Sequence, residues 1–208
     1  MELTKLLSLA LTLTPASAAL FCKTQSQPNP IAKDFPKEAT GTINGTVAIL
    51  PIPYALARKI VPAEYNILQN TYQSMLPDFP KDMYPAMLQS QLDHDVQASG
   101  IKLSDFSRSS VSFPFVDRLG DGYTSMTYGH NIMLSALNVV AILGTVAYGF
   151  SVTGGSFTPK CDAYECANED CSMNYFAAYD VLKPFSGPVL SQNFTISSED
   201  KSPFSLDL

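Results

Sequence analysis

SVSFPFVDRLGDGYTSMTYGHN, residues 110–131, decides how this chain folds. Apolar, aromatic and β-branched side chains recur on both sides of Gly120-Asp121-Gly122, and this triplet suits the left-handed backbone of a tight reversal. The stretch reads as strand, turn, strand, with strands over 109–116 and 123–128. In the turn, Asp121 is expected to accept backbone hydrogen bonds, while Asp117 and Arg118 read as a solvated strand end. Phe113, Phe115, Tyr123 and Tyr128 read as core.

Upstream, 43–52 alternates as a strand, Pro53 opens a short helix that Pro62 ends, and 84–96 is a further strand. Downstream, 133–146 reads as one long buried helix, followed by strands over 148–157, 175–182 and 189–196. Gly154-Gly155 reads as a bulge or turn and not as a phosphate cradle. With two helices among many strands the fold class is α+β and strand-rich. An antiparallel β domain is expected, built around a central cavity or closed into a barrel-like cone with helices packed outside. No repeat or long linker divides residues 41–208, which form one domain.

At the N-terminus, Glu2 and Lys5 precede an apolar run over 6–13, then Pro15 and Ala16-Ser17-Ala18. That order marks residues 1–18 as a signal peptide cleaved after Ala18, and the run is too short to anchor the chain in a bilayer. Residues 19–40 follow as an extended segment containing Pro28, Pro30 and Pro36. An exported chain meets an oxidising compartment, so Cys22, Cys161, Cys166 and Cys171 are expected to form two disulfides, with Cys22 reaching across to the late cluster. Four cysteines allow three pairings. A zinc site is the alternative, although structural zinc usually wants closer pairs. Asn44-Gly45-Thr46 and Asn193-Phe194-Thr195 are N-glycosylation sequons. The uncharged run 132–150 is long enough to span a membrane, but its polar residues and missing basic flanks favour a buried helix and strand. The expected location is extracellular.

The formal charge is −6, with 13 basic and 19 acidic residues, and loss of residues 1–18 removes one of each sign. Such a surface repels phosphate backbones and anionic lipids, so neither nucleic acid nor a stable membrane anchor is an expected partner. There is no G-x-S-x-G elbow, P-loop, H-E-x-x-H helix or dinucleotide fingerprint, and no cofactor is implied.

ILPIPYALARKIVPAEYNIL, residues 49–68, with residues 110–131 and the intervening strand around Gln91-Leu92-Asp93-His94-Asp95, resembles the acetoacetate decarboxylase-like superfamily, most closely its secreted fungal members. The resemblance covers about residues 41–155 and implies a cone-shaped β core enclosing a small-molecule pocket. In the family's enzymes a lysine pair near the end of the helix after the Gly-Asp-Tyr strand supplies a Schiff-base amine of depressed pKa. Here Thr145 and Val146 stand about where that pair would be, and no lysine or arginine occurs between Arg118 and Lys160. Arg58-Lys59 lies in the early helix and Lys102 has no basic neighbour in sequence. Schiff-base decarboxylation is therefore not expected.

The remaining polar candidates are His94, Asp105 and His130 as catalytic groups and Arg108 as a carboxylate-binding residue. Strand alternation puts His94 on one face and Asp93 and Asp95 on the other. The resemblance places an acidic pocket residue near Asp105 and His130 at the pocket mouth. A histidine beside a carboxylate could enolise or dehydrate a carbonyl substrate. The same histidines with Asp93 or Asp95 could instead hold a metal, or be satisfied structural groups. Two functions follow: a secreted protein that binds or modifies a small carbonyl compound, keto-acid or polyketide-like, in an apolar cavity where these groups converge; or a non-catalytic extracellular structural or interaction protein with a filled cavity.

Overall fold

The computed structural model describes residues 28–195. The proposed signal peptide, Cys22 and the C-terminal residues from 196 lie outside them. In chain order the elements are β1 (Thr40–Pro53), α1 (Tyr54–Ile60), β2 (Asn66–Ile67), α2 (Gln69–Met75), β3 (Met83–Ala98), β4 (Ile101–Lys102), β5 (Phe106–Asp117), β6 (Met126–Ser135), α3 (Val139–Ala147), β7 (Ser151–Thr158), β8 (Glu165–Cys166), β9 (Asn174–Asp180) and β10 (Leu190–Phe194).

Seven strands form one sheet in the order β1-β3-β5-β6-β7-β9-β10, with β2, β4 and β8 as short additions. The sheet curls into a half-barrel. Its two ends approach through side chains: Gln192 of β10 donates to Thr46 Oγ1 of β1 and accepts from Ser90 Oγ of β3 at 3.4 Å. The face carrying Thr46, Ser90 and Gln192 is therefore the concave one. Two expectations change here. The barrel is half closed, and the sheet is mixed, because β6 and β7 run parallel and are joined by α3. A parallel pair requires a crossover, and the helix provides it.

Each face has its own core. On the concave side Ala57 and Val61, from α1 and its end, and Tyr72 of α2 pack on Tyr84, Ala86, Phe113 and Val116. The second helix was not expected from sequence; it is anchored by Tyr72, fully buried, whose hydroxyl donates to Met83 O at 3.0 Å. Burial pushes the Tyr72 phenol up to about 12. Further along the same face, Met133, Phe157, Phe176 and Ala178 form a second cluster. On the convex side Phe106, Ile132 and Leu134 pack against Ala141 of α3.

The buried helix expected over 133–146 is replaced by two pieces. β6 runs on to Ser135 and pairs with β7, and α3 starts only after Asn138, whose side chain accepts from Ala141 N at 3.0 Å as an N-cap. Only Ala141 of α3 is buried, and Val139, Val140, Leu143 and Val146 face outward. Among the described residues no helix is long and apolar enough to cross a membrane. Gly154 and Gly155 lie inside β7, not in a turn. A Cβ on Gly155 would stand 2.5 Å from Met133 Cγ, so the glycine admits a neighbour's side chain.

The β5–β6 turn is held by a residue expected to be solvated. Asp117 is 4% exposed, and its carboxylate accepts from the backbone N–H groups of Gly120, Asp121 and Gly122 at 2.7, 3.2 and 3.1 Å. Asp121 continues the pattern as expected, accepting from Tyr123 N and Thr124 N. Gly120 and Gly122 both take positive φ, 70° and 80°. Replacing Asp117 by Ala removes three hydrogen bonds to its carboxylate at once. Asp117→Ala should therefore lower the free energy of unfolding by about 1–3 kcal/mol in urea titration, at an unchanged slope.

Candidate functional site

The concave face holds a cavity of ≈ 560 Å³, within the roughly 300–1,000 Å³ range of small-molecule sites. Leu50 and Ile52 of β1, Leu56 and Ile60 of α1, and Val189 and Leu190 at β10 make one apolar wall. Facing them are Val111 and Phe113 of β5, with the polar groups Ser109, Ser110, His130 and Asn131. No lysine is among the lining residues.

His130 reaches this wall because of a β-bulge. On β5, Ser110 pairs with Ile132 and Ser112 with Gly129, so the single residue Val111 stands opposite both His130 and Asn131. Two residues against one bend the strand and re-aim side chains. His130 thus lies in mid-strand and not at the entry to a helix. The Tyr128 hydroxyl meets its Nδ1 at 3.3 Å, and Tyr128 is tilted against Phe113 with ring centroids 6.3 Å apart. Phe113 in turn stacks on Tyr84 at 6.0 Å, so an aromatic row runs from the core to the histidine. Asn131 is held by Thr153 Oγ1 at 3.2 Å and Ser151 Oγ at 3.3 Å, both on β7.

His94 and Asp105 stand elsewhere. A second bulge interrupts β3, where Asp95 and Val96 together oppose Gly41, and Asp95 takes φ 50°. Alternation therefore fails at Asp95, and its carboxylate turns to accept from His94 Nδ1 at 3.0 Å. Asp105 Oδ1 accepts from Asp95 N at 3.1 Å, which steadies the left-handed residue. His94 is 1% exposed and is missing from the lining of the concave cavity. Asp105 lines a separate cavity with Ser135, Asn138 and Lys160 near the start of α3. Arg108 lies on the convex face, its Nε donating to Asp93 Oδ2 at 2.7 Å. Burial pushes the Asp93 carboxyl above the usual carboxylate range, with Arg108 opposing that shift. The four candidates thus divide among three places, and only His130 belongs to the concave cavity. Thr145, expected where a lysine would be, bonds Ala141 O at 2.8 Å and lines a convex cavity. Among the described residues no three His, Cys, Asp or Glu groups gather as metal ligands.

Cys166 and Cys171 form a disulfide, and Cys161 is disulfide-bonded as well. Asn44 and Asn193 are both exposed, on β1 and β10. Sequence alone does not mark Asn131, Ser109 and Ser110 as cavity residues. Asn131 adjoins His130 at the bulge, but nothing local marks the register shift that brings it to the cavity wall.

No protein-family model matches this chain, and neither a curated protein nor a solved structure matches it.

Asp95 gives a pH test of the β3 bulge. Its carboxyl is held below the usual carboxylate range by the hydrogen bond from His94 first and by Lys102 next. A depressed native pKa adds stability that is complete above the unfolded value, about 4, and is lost as pH falls through the native one. Asp95→Asn should therefore reduce stability at neutral pH and flatten its further loss below about pH 4, as followed by thermal unfolding at a series of pH values.

Proposed function

We propose that this protein binds a small, largely apolar molecule with a carbonyl or similar polar head in the concave cavity, on a scaffold resembling the acetoacetate decarboxylase-like proteins. The observation that carries this reading is the pairing of one apolar wall with a polar strip of Ser109, Ser110, His130 and Asn131. An apolar body gains from leaving water against Leu50, Ile52, Leu56 and Ile60, and the strip offers hydrogen bonds that orient a head group. A cavity of this size supports ligand binding over a purely structural role with a filled interior. Ketones, keto-acids and polyketide-like compounds match the division of polarity.

The lining offers no amine for a Schiff base, so we infer a binding or proton-transfer role for His130 and no decarboxylation through an imine. The head group docks at His130, whose imidazole is positioned by Tyr128. A thermal-shift screen of ketones, keto-acids and polyketides tests this, because a ligand at 100 times its Kd stabilises by about 2.7 kcal/mol. Hits should lose about tenfold in affinity in His130→Ala, the worth of roughly one hydrogen bond. Hits indifferent to His130→Ala, or a lysine trapped by borohydride with acetoacetate, would sink the reading.

We further propose that the chain is exported and glycosylated. The disulfide-bonded Cys161, Cys166 and Cys171 and the exposed sequon asparagines support it. Protein from a eukaryotic secretory host should lose mass on N-glycosidase treatment, and Asn44→Gln with Asn193→Gln should abolish that loss; an unmodified secreted chain would refute it.

A further inference from the structure

The convex face carries a second cavity whose chemistry is the reverse of the first. Beneath α3 and residues 148–150, strands β3, β5 and β6 enclose ≈ 390 Å³. Its charged groups are Asp93 and Arg108, bonded to each other. The two terminal amines of Arg108 make no other hydrogen bond among the described residues. Around the pair stand neutral hydroxyls and amides: Gln89, Ser110, Ser112, Thr127, Asn131 and Thr145. Ser112 is 7% exposed, and its Oγ is buried without a hydrogen-bond partner.

Two aromatic rings complete the cavity, Tyr148, 79% exposed, and Phe150. Gly129 makes room for the second, since a Cβ there would stand 2.8 Å from Phe150 Cε1. A shallower cavity of ≈ 300 Å³ continues past Thr127, Gly129, Tyr148 and Phe150, so the aromatic pair lies between two compartments.

These features select a ligand by elimination. An anion entering the deeper compartment meets the Asp93 carboxylate, and a cation meets Arg108. A wholly apolar molecule leaves the hydroxyls, the amides and the arginine amines unsatisfied. A neutral molecule with many hydroxyl groups suits every part. Each hydroxyl both donates and accepts, as a wall of mixed donors and acceptors requires, and the C–H face of a pyranose ring can lie on an aromatic side chain.

We propose that this is a saccharide-binding site. A neutral sugar stacks on Tyr148 and Phe150 and hydrogen-bonds to the Asp93–Arg108 pair and to the hydroxyls and amides around it. The site does not depend on the apolar ligand of the concave cavity, although Ser110 and Asn131 line both.

The test is saturation-transfer NMR with isothermal titration, using the methyl glycosides of glucose, galactose, mannose and N-acetylglucosamine, with galacturonate as the charged comparison. At least one neutral glycoside should bind at millimolar concentration or below. Tyr148→Ala and Thr127→Val, both at exposed positions, should weaken it about tenfold while leaving the unfolding curve in place. His130→Ala should leave glycoside binding unchanged, and Tyr148→Ala should leave any ketone binding unchanged, which separates failure of one site from failure of the other. Silence of every glycoside at millimolar concentration overturns the proposal. So does binding confined to galacturonate, or binding that survives both convex-face variants.

Discussion

The bulge at His130 and Asn131 is the constraint on which both cavities rest. Strand pairing forces side chains to alternate strictly between the faces, and a sheet in perfect register would keep each wall uniform. One extra residue on β6 opposite Val111 breaks that alternation once. His130 then joins the concave wall, while Asn131 reaches the linings of both cavities and is fixed by two hydroxyls of β7. The neighbouring Gly129 leaves space for Phe150 on the opposite face. A single irregularity thus sets a histidine in an apolar setting and opens polar ground behind it.

The same device recurs on β3, and there it serves structure. Asp95 holds a positive φ, a conformation aspartate tolerates better than most residues. It is steadied by Asp105 on its amide and by His94 on its carboxylate. Three polar residues with the composition of a catalytic cluster are occupied with one another at a strand irregularity. None of them lines the concave cavity, and residue type alone could not separate them from His130.

Much of the strand framework was legible because its signals are local. Period-two alternation and the Gly120-Asp121-Gly122 triplet placed β5, the reversal and the direction of β6, and Pro53 and Pro62 bounded α1. The run 132–150 misleads because it lacks charge, and its few polar residues do not mark one face from which to read a period. Asn138 was the available clue, an N-cap type three residues before Ala141. The bulges were invisible for a different reason. A register shift is a relation between strands far apart in sequence, so neither the separation of His94 from His130 nor the pairing of Arg108 with Asp93 across β3 and β5 could be read along the chain.

A half-barrel, unlike a closed one, retains two edges, here β1 and β10 among the described residues. An edge strand offers unpaired amides and carbonyls to any extended chain that meets it. β1 carries Pro51 and Pro53, which lack amide hydrogens, and β10 is only five residues long. Each edge also bears one exposed sequon asparagine, Asn44 or Asn193. A branched glycan at either position would occupy the space an incoming strand needs. Carbohydrate placed there would act less on the free energy of folding than on colloidal behaviour, keeping copies of an open sheet from polymerising edge to edge.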